Sequence, residues 1–342
     1  MQTSVVSASA TQRRRPALSH AGLKPSHAVI AVDEFGQPRE GHIAGEQPLT
    51  LYLDKREVVT LMTLGTHPEL LVLGYLRNQR LVSDLESVRS IQVDWETDAC
   101  AVTTFDGVGD LDEKLKHRTV TSGCGQGTVF GRITDWLDQV RLPPVTLHQS
   151  RLYALLDTLS AHNEVYRRAG AVHGCALCAG TNADRDGDPA YGAADIELFV
   201  EDVGRHNAAD AISGHMWLNG IDGADKVFYT TGRLTSEMVI KVAQMGIPVL
   251  LSRSGVTQKG LEFAQKIGVT MIARAKGSHF LVYNGAERVI FDATPASVPG
   301  RHSGGHTRRG SKDGSAYSQS FQAGADHTDP GPTASGRTAA DA

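Results

Sequence analysis

The stretch IELFVEDVGRHNAADAISGHMWL (196–218) decides how this chain is read. Residues 196–200 are an apolar run of strand length, and 208–218 carry a helical pattern. Gly204 stands at the switch, so the segment reads as strand, tight turn and helix start, with Arg205, His206 and Asn207 in the turn. The free N–H groups of a helix start suit an anion, and an arginine beside them adds a planar donor fork that matches a phosphate. The plainer alternative is a turn whose polar residues cap the helix and meet water; the density of Asp, Arg, His and Asn favours a site.

The same architecture recurs downstream. In TTGRLTSE (230–237) a strand ends, Gly232 turns, Arg233 follows, and Thr235 or Ser236 precedes the next helix. Apolar runs at 196–200, 227–231, 249–252 and 269–273 alternate with helical patterns at 207–218, 236–245 and 257–267, with Gly246 and Gly268 at the expected helix ends. Such alternation predicts a layered α/β domain with a mostly parallel sheet, whose strand ends converge on one ligand-binding edge. Two arginine-bearing turns on that edge imply a ligand with more than one phosphate. Beyond them, 279–283 and 288–291 read as a hairpin about Asn284-Gly285.

Working outward, the first half reads as a β-rich lobe with one helix. PLTLYL (48–53) and EVVTLM (57–62) form a hairpin, Thr66 to Glu69 resemble a capping box, and alternating strands follow at 87–94 and 100–104. Further helical patterns lie at 132–140 and 147–167, the latter with a core stripe of Leu152, Leu155, Leu156 and Leu159. The domain reading is a tail at 1–26, a β-rich lobe at 27–118, a cysteine loop with the α/β domain at 119–294, and a polar tail at 295–342.

A net charge of −4 over 342 residues gives no general attraction to nucleic acid. Arg13, Arg14 and Arg15 lack the apolar segment that would make them an export signal, and no apolar run reaches membrane-spanning length. Four cysteines do not build a disulfide framework in a chain of this size, so a cytoplasmic protein is expected. Of the four, Cys124 sits in TSGCGQG (121–127), a loop without bulk except Gln126, preceded by Lys114, Lys116, His117 and Arg118. Glycine freedom and nearby cations favour a reactive thiolate over a buried structural cysteine. His173, Cys175 and Cys178 (HGCALC) have soft-metal spacing, but no second pair completes a zinc site, and packing is the favoured reading.

These residues together resemble the formate dehydrogenase accessory sulfurtransferases, the FdhD family. The resemblance rests on EDVGRHNAAD (201–210), TTGRLTSEMV (230–239), MGIPVLLSRSGVT (245–257), GAVHGCALC (170–178), HPELLVLGYL (67–76) and the glycine-cysteine loop, in family order. It implies a fold similar to the cytidine deaminases and a homodimer. It also implies an activity: taking sulfur from a cysteine desulfurase as a persulfide and passing it to the molybdenum bis(guanine dinucleotide) cofactor of formate dehydrogenase. The carrier cysteine then maps to Cys124. The family's cofactor-binding segment maps to Phe280, Leu281, Val282, Tyr283, Asn284 and Gly285, and the two pyrophosphates of the cofactor agree with the two turns read from the residues, Gly204, Arg205 and His206 and then Gly232 and Arg233. No resident metal is implied. One departure stands out: the family's loop commonly carries C-x-x-C, and here Gly127 occupies the second cysteine position. A cofactor-binding chaperone of formate dehydrogenase that moves no sulfur is therefore an alternative. A zinc-dependent, deaminase-like hydrolase is a weaker one, because Cys175 stands where the catalytic glutamate would be and no proline precedes the pair.

Overall fold

The computed structural model describes residues 14–109, 111, 139–179 and 196–295. They fall within one compact unit, residues 1–296. The Cys124 loop, with Gly127 and the basic residues before it, lies outside the described residues, as do the expected helix over most of 132–140 and the tail from 296 on.

A short strand β1 (Ala17–Leu18) is followed by a hairpin of β2 (Ser26–Val32) and β3 (Pro38–Ala44), and then by β4 (Gln47–Leu53), β5 (Arg56–Thr63), helix α1 (Pro68–Asn78), β6 (Val88–Asp94) and β7 (Ala99–Thr104). Five of these strands form one sheet in the order β1-β6-β7-β4-β5. After β8 (Leu147–His148) come α2 (Gln149–His162), α3 (Glu164–Ala169), β9 (His173–Cys178) and β10 (Ile196–Asp202). The chain continues through α4 (Arg205–Asn219), β11 (Val227–Thr230), α5 (Ser236–Gln244), β12 (Val249–Ser252), α6 (Gln258–Ile267), β13 (Thr270–Lys276), β14 (His279–Asn284) and β15 (Val289–Ile290).

The second sheet has the order β10-β9-β11-β12-β13-β14. β11, β12 and β13 pair in parallel, whereas β9 is antiparallel to both β10 and β11, and β14 is antiparallel to β13. Four of the six strands, β10 to β13, therefore run the same way, and their C-terminal ends meet at one edge. The layered α/β class expected from the alternation is the observed one. Residues on successive positions of each strand face opposite sides. Cys175, Leu177, Phe228, Leu250 and Met271 join one core with α1, α4, α5, α6 and the five-stranded sheet. Ala176, Cys178, Tyr229, Leu251 and Ile272 join a second core under α2. Because the first core runs through both halves of the chain, the expected separation of a 27–118 lobe from a 119–294 domain is not how the interior is packed.

Helices α1 and α4 approach to backbone contact. A Cβ on Gly74 would lie 1.7 Å from the Asp210 carbonyl oxygen, and one on Gly214 would lie 2.0 Å from that of Leu70. Only hydrogen fits at either place. Around this crossing runs a buried polar chain. Asp210 accepts from Lys241 Nζ at 2.6 Å with both oxygens and from Asn78 Nδ2 at 2.7 Å, and Ser213 Oγ donates to Asn78 Oδ1. It links α1, α4 and α5.

Four local expectations change. The described part of the segment before His27, residues 14–26, is docked rather than a free tail. β1 pairs in parallel with β6, Arg15 donates to Leu218 O and Asn219 Oδ1, and Ser19 Oγ and Ala21 N–H both donate to Glu69. Glu69 is thereby taken from the expected capping box, and α1 begins at Pro68 without a side-chain cap. The single helix expected over 147–167 breaks at Asn163, because Glu201 accepts from the N–H groups of Val165 and Tyr166 at 2.8 and 2.9 Å and so starts α3. Finally, Asn284-Gly285 is not a hairpin turn. β14 folds back on β13 around Gly277 (φ +56°), Asn284 donates to Val269 O at 2.6 Å, and β15 pairs in parallel with β8.

Gly74→Ala forces the two helices apart and should lower stability by about 2–3 kcal/mol or more, read as a fall in the urea midpoint. Removing everything before His27 should also lower the melting temperature, since it deletes β1 and leaves the buried Glu69 carboxylate without its Ser19 and Ala21 donors. An unchanged melting temperature would return those residues to the status of a tail.

Candidate functional site

The strand register explains why the expected turns meet. Asp202, at the end of β10, pairs with His173 at the start of β9; Cys175 pairs with Thr230, and Thr230 with Ser252. Three strand–turn–helix units, β10–α4, β11–α5 and β12–α6, thus open on one edge, each bringing a helix N-terminus to it. Each turn carries an arginine: Arg205, Arg233 and Arg253. The turns brace one another. Ser252 Oγ donates to Gly232 O at 2.6 Å, Arg253 N–H to Thr230 O, and Leu234 N–H to Gly255 O. A Cβ on Gly232 would stand 2.6 Å from Arg205 Cδ, so this glycine is what lets the Arg205 side chain cross the second turn.

The three guanidinium groups act on one imidazole. Burial pushes the pKa of His173 down first, and Arg205, Arg233 and Arg253 push it further. His206 is fully buried, with Nε2 3.3 Å from Glu237 Oε2. Burial, with Lys241 and Arg205 adding to it, drives its pKa to about 2, so the contact joins a neutral ring to a carboxylate. Arg233 is exposed and Arg253 half-buried, which leaves positive charge facing outward while the imidazoles contribute none. An edge of this kind offers an anion the donors of charge-assisted hydrogen bonds.

Much of the motif at 201–210 has structural work. Asp202 is buried and accepts from Thr63 Oγ1, the N–H groups of Leu64 and Gly204, and Asn207 Nδ2. Asn207 also donates to Met62 O at 2.6 Å, and Glu201 starts α3. Of the expected site residues, Gly204, Arg205, Gly232 and Arg233 come together at this edge, with His206 buried beneath it. Phe280, Leu281, Val282, Tyr283, Asn284 and Gly285 lie on or just after β14, the far strand of the sheet, which runs from His279, paired with Lys276 at the C-terminal end of β13, to Asn284, paired with Met271 at the opposite end. Phe280 and Val282 pack toward the second core, and Leu281 and Tyr283 face outward. The sequence reading missed Arg253, although SRSG (252–255) also places an arginine directly after an apolar strand.

The cysteines separate cleanly. Cys100, Cys175 and Cys178 are buried, and burial raises the thiol pKa of Cys100 and Cys175 to about 12. Cys175 Sγ donates to Thr230 Oγ1 at 3.3 Å and packs in the first core, while Cys178 packs in the second. On a strand, positions i and i+3 face opposite sides, so this C-x-x-C cannot chelate one metal through both thiols. The zinc-hydrolase alternative fails on that geometry. Cys124 lies outside the described residues.

Residues 44–290 match the model of the FdhD/NarQ family. The chain belongs to that family. It is 28% identical over 270 residues to the sulfur carrier protein FdhD of Listeria monocytogenes, covering 77% of this chain and 98% of that protein. Against the protein of the same name in Shouchella clausii it is 30% identical over 254 residues, covering 72% and 89%. Its fold is similar to the crystal structure of a protein of Desulfotalea psychrophila assigned as a formate dehydrogenase accessory protein. The TM-score is 0.57 at 26% identity, with 78% of this chain and 98% of that one covered. Among the described residues, no helix is long and apolar enough to cross a membrane.

His206 gives this FdhD-family chain a distinct acid response. Its pKa is lower folded than unfolded, so below pH about 6.5 the unfolded state takes up the proton and the folded state does not. Its share of stability is complete above that pH and falls progressively toward pH 2. Acidification from pH 7 to pH 5 should cost about 2 kcal/mol through this ring alone, with His173 acting in the same direction. Urea unfolding at both pH values should show the loss in the wild type and a smaller loss in His206→Gln.

Proposed function

We propose that this chain is a sulfur carrier in the maturation of formate dehydrogenase. Cys124 receives sulfur from a cysteine desulfurase, and the arginine edge holds the acceptor, a molybdenum bis(guanine dinucleotide) cofactor. The observation that supports the reading most directly is the meeting of Arg205, Arg233 and Arg253 at three adjoining helix starts, which suits the phosphates of a dinucleotide. The distribution of the cysteines supports the other half. A persulfide carrier needs an accessible thiolate, and Cys100, Cys175 and Cys178 are sealed in the two cores.

In this reading the Cys124 thiolate attacks the outer sulfur of the donor persulfide, the donor's S–S bond breaks, and the donor leaves as a thiolate. One cysteine suffices for that step, so Gly127 in the second loop position is compatible with it. The cofactor supplies the metal centre that accepts the sulfur. The chain's own part at the edge is to hold phosphates: Gly232 lets Arg205 cross the second turn, and Arg205, Arg233 and Arg253 supply the charge. No phosphate contact is proposed for Phe280 to Gly285, on the far strand of the sheet.

The test is peptide mass spectrometry of the full chain after incubation with a cysteine desulfurase and free cysteine. A sulfur adduct of one atom is expected on the Cys124 peptide, lost in Cys124→Ser and retained in Cys175→Ser. An adduct on none of the cysteines, together with a Cys124→Ser variant that still restores formate dehydrogenase activity, would replace the carrier by a chaperone that binds the cofactor without moving sulfur.

A further inference from the structure

Tyr166 stands beside the arginine edge, against Arg253 of the third turn. It lies on α3, where no residue is buried, and its side chain is among the exposed large hydrophobics at 47%. Its place is nevertheless fixed. Glu201, the residue before the end of β10, accepts from Tyr166 N–H at 2.9 Å and from Val165 N–H at 2.8 Å. The Arg253 guanidinium lies 5.5 Å from the centroid of its ring. A ring on a pinned backbone, with a cation against it and nearly half of its surface open, has the parts of a base-stacking platform.

We propose that Tyr166 stacks against the nucleobase of a purine nucleoside diphosphate whose phosphates lie on Arg205, Arg233 and Arg253. The assignment rests on the phosphate reading of the edge and adds the base-binding half of the site. Arg253 serves both halves, since the same side chain borders the ring and belongs to the turn that braces Gly232. The tyrosine hydroxyl has no part in stacking, so phenylalanine should replace it and an aliphatic residue should not.

The experiment is calorimetric titration of the full chain with two probes: GDP, which has base and phosphates, and inorganic pyrophosphate, which has phosphates alone. Tyr166→Ala should weaken GDP binding about ten-fold and leave pyrophosphate binding unchanged. Tyr166→Phe should bind GDP within about two-fold of wild type. Tyr166→Leu, which keeps apolar bulk without a π face, should behave as the alanine variant does and answers the question if that variant fails to fold. Arg233→Ala should weaken both probes. Equal weakening of both probes by Tyr166→Ala would make the ring a structural element and overturn the proposal. GDP affinity unchanged in Tyr166→Ala and Tyr166→Leu, with both probes weakened by Arg233→Ala, would overturn the stacking while leaving the phosphate reading in place. A wild-type chain that takes up neither probe would overturn the phosphate reading and the stacking with it.

Discussion

The Asp202 carboxylate is the knot on which the site depends. It is buried, and burial raises its pKa. What offsets that cost is a full set of donors: the Thr63 hydroxyl, the Leu64 and Gly204 N–H groups, and the Asn207 amide. Two of these donors come from the end of β5 and two from the turn that opens α4. One carboxylate therefore fixes the N-terminal sheet against the α/β layer and sets the turn that presents Arg205 and His206. Removing it would leave four donors buried without an acceptor, which costs far more than any one of the bonds.

The same economy governs the rest of the edge. Gly232 is small because Arg205 passes over it, and Ser252 reaches back to the Gly232 carbonyl, so the second and third turns cannot move independently. Beneath them the Asp210–Lys241 pair and Asn78 fix α4 and α5 against α1. Burial of such a pair is weak support for stability in itself. Its geometric effect is specific, because Lys241 meets both carboxylate oxygens and Asn78 completes the shell.

The strand–turn–arginine units were legible in the chain because apolar runs, a glycine and the following helix are local signals. Their convergence was legible too, since parallel strand ends share an edge. Three features were not. Glu69 looked like part of a helix cap, and nothing in its neighbourhood reveals that Ser19 and Ala21, some fifty residues earlier, would claim it. The break at Asn163 depends on Glu201, whose role is set by tertiary contact rather than by the helical pattern it interrupts. Cys175 and Cys178 have metal-ligand spacing, but the meaning of that spacing changes once the segment is a strand with a core on each face. The third arginine was missed for a different reason: SRSG lacks the glycine directly before the arginine that marks the other two turns.

The backbone contact between Gly74 and Asp210 bears on how the chain is made. The crossing joins segments over 130 residues apart, as the Asn78–Asp210 bond shows with a separation of 132. At roughly 5–20 residues per second of synthesis, α1 leaves the ribosome on the order of ten seconds before α4 exists to cover it. Through that interval Leu71, Val72, Tyr75 and Leu76, all buried in the finished protein, are without their partner helix. The amino-terminal half is thus a nascent chain that waits, and its exposure to chaperones and to aggregation is set by a pair of glycines that allow no looser alternative.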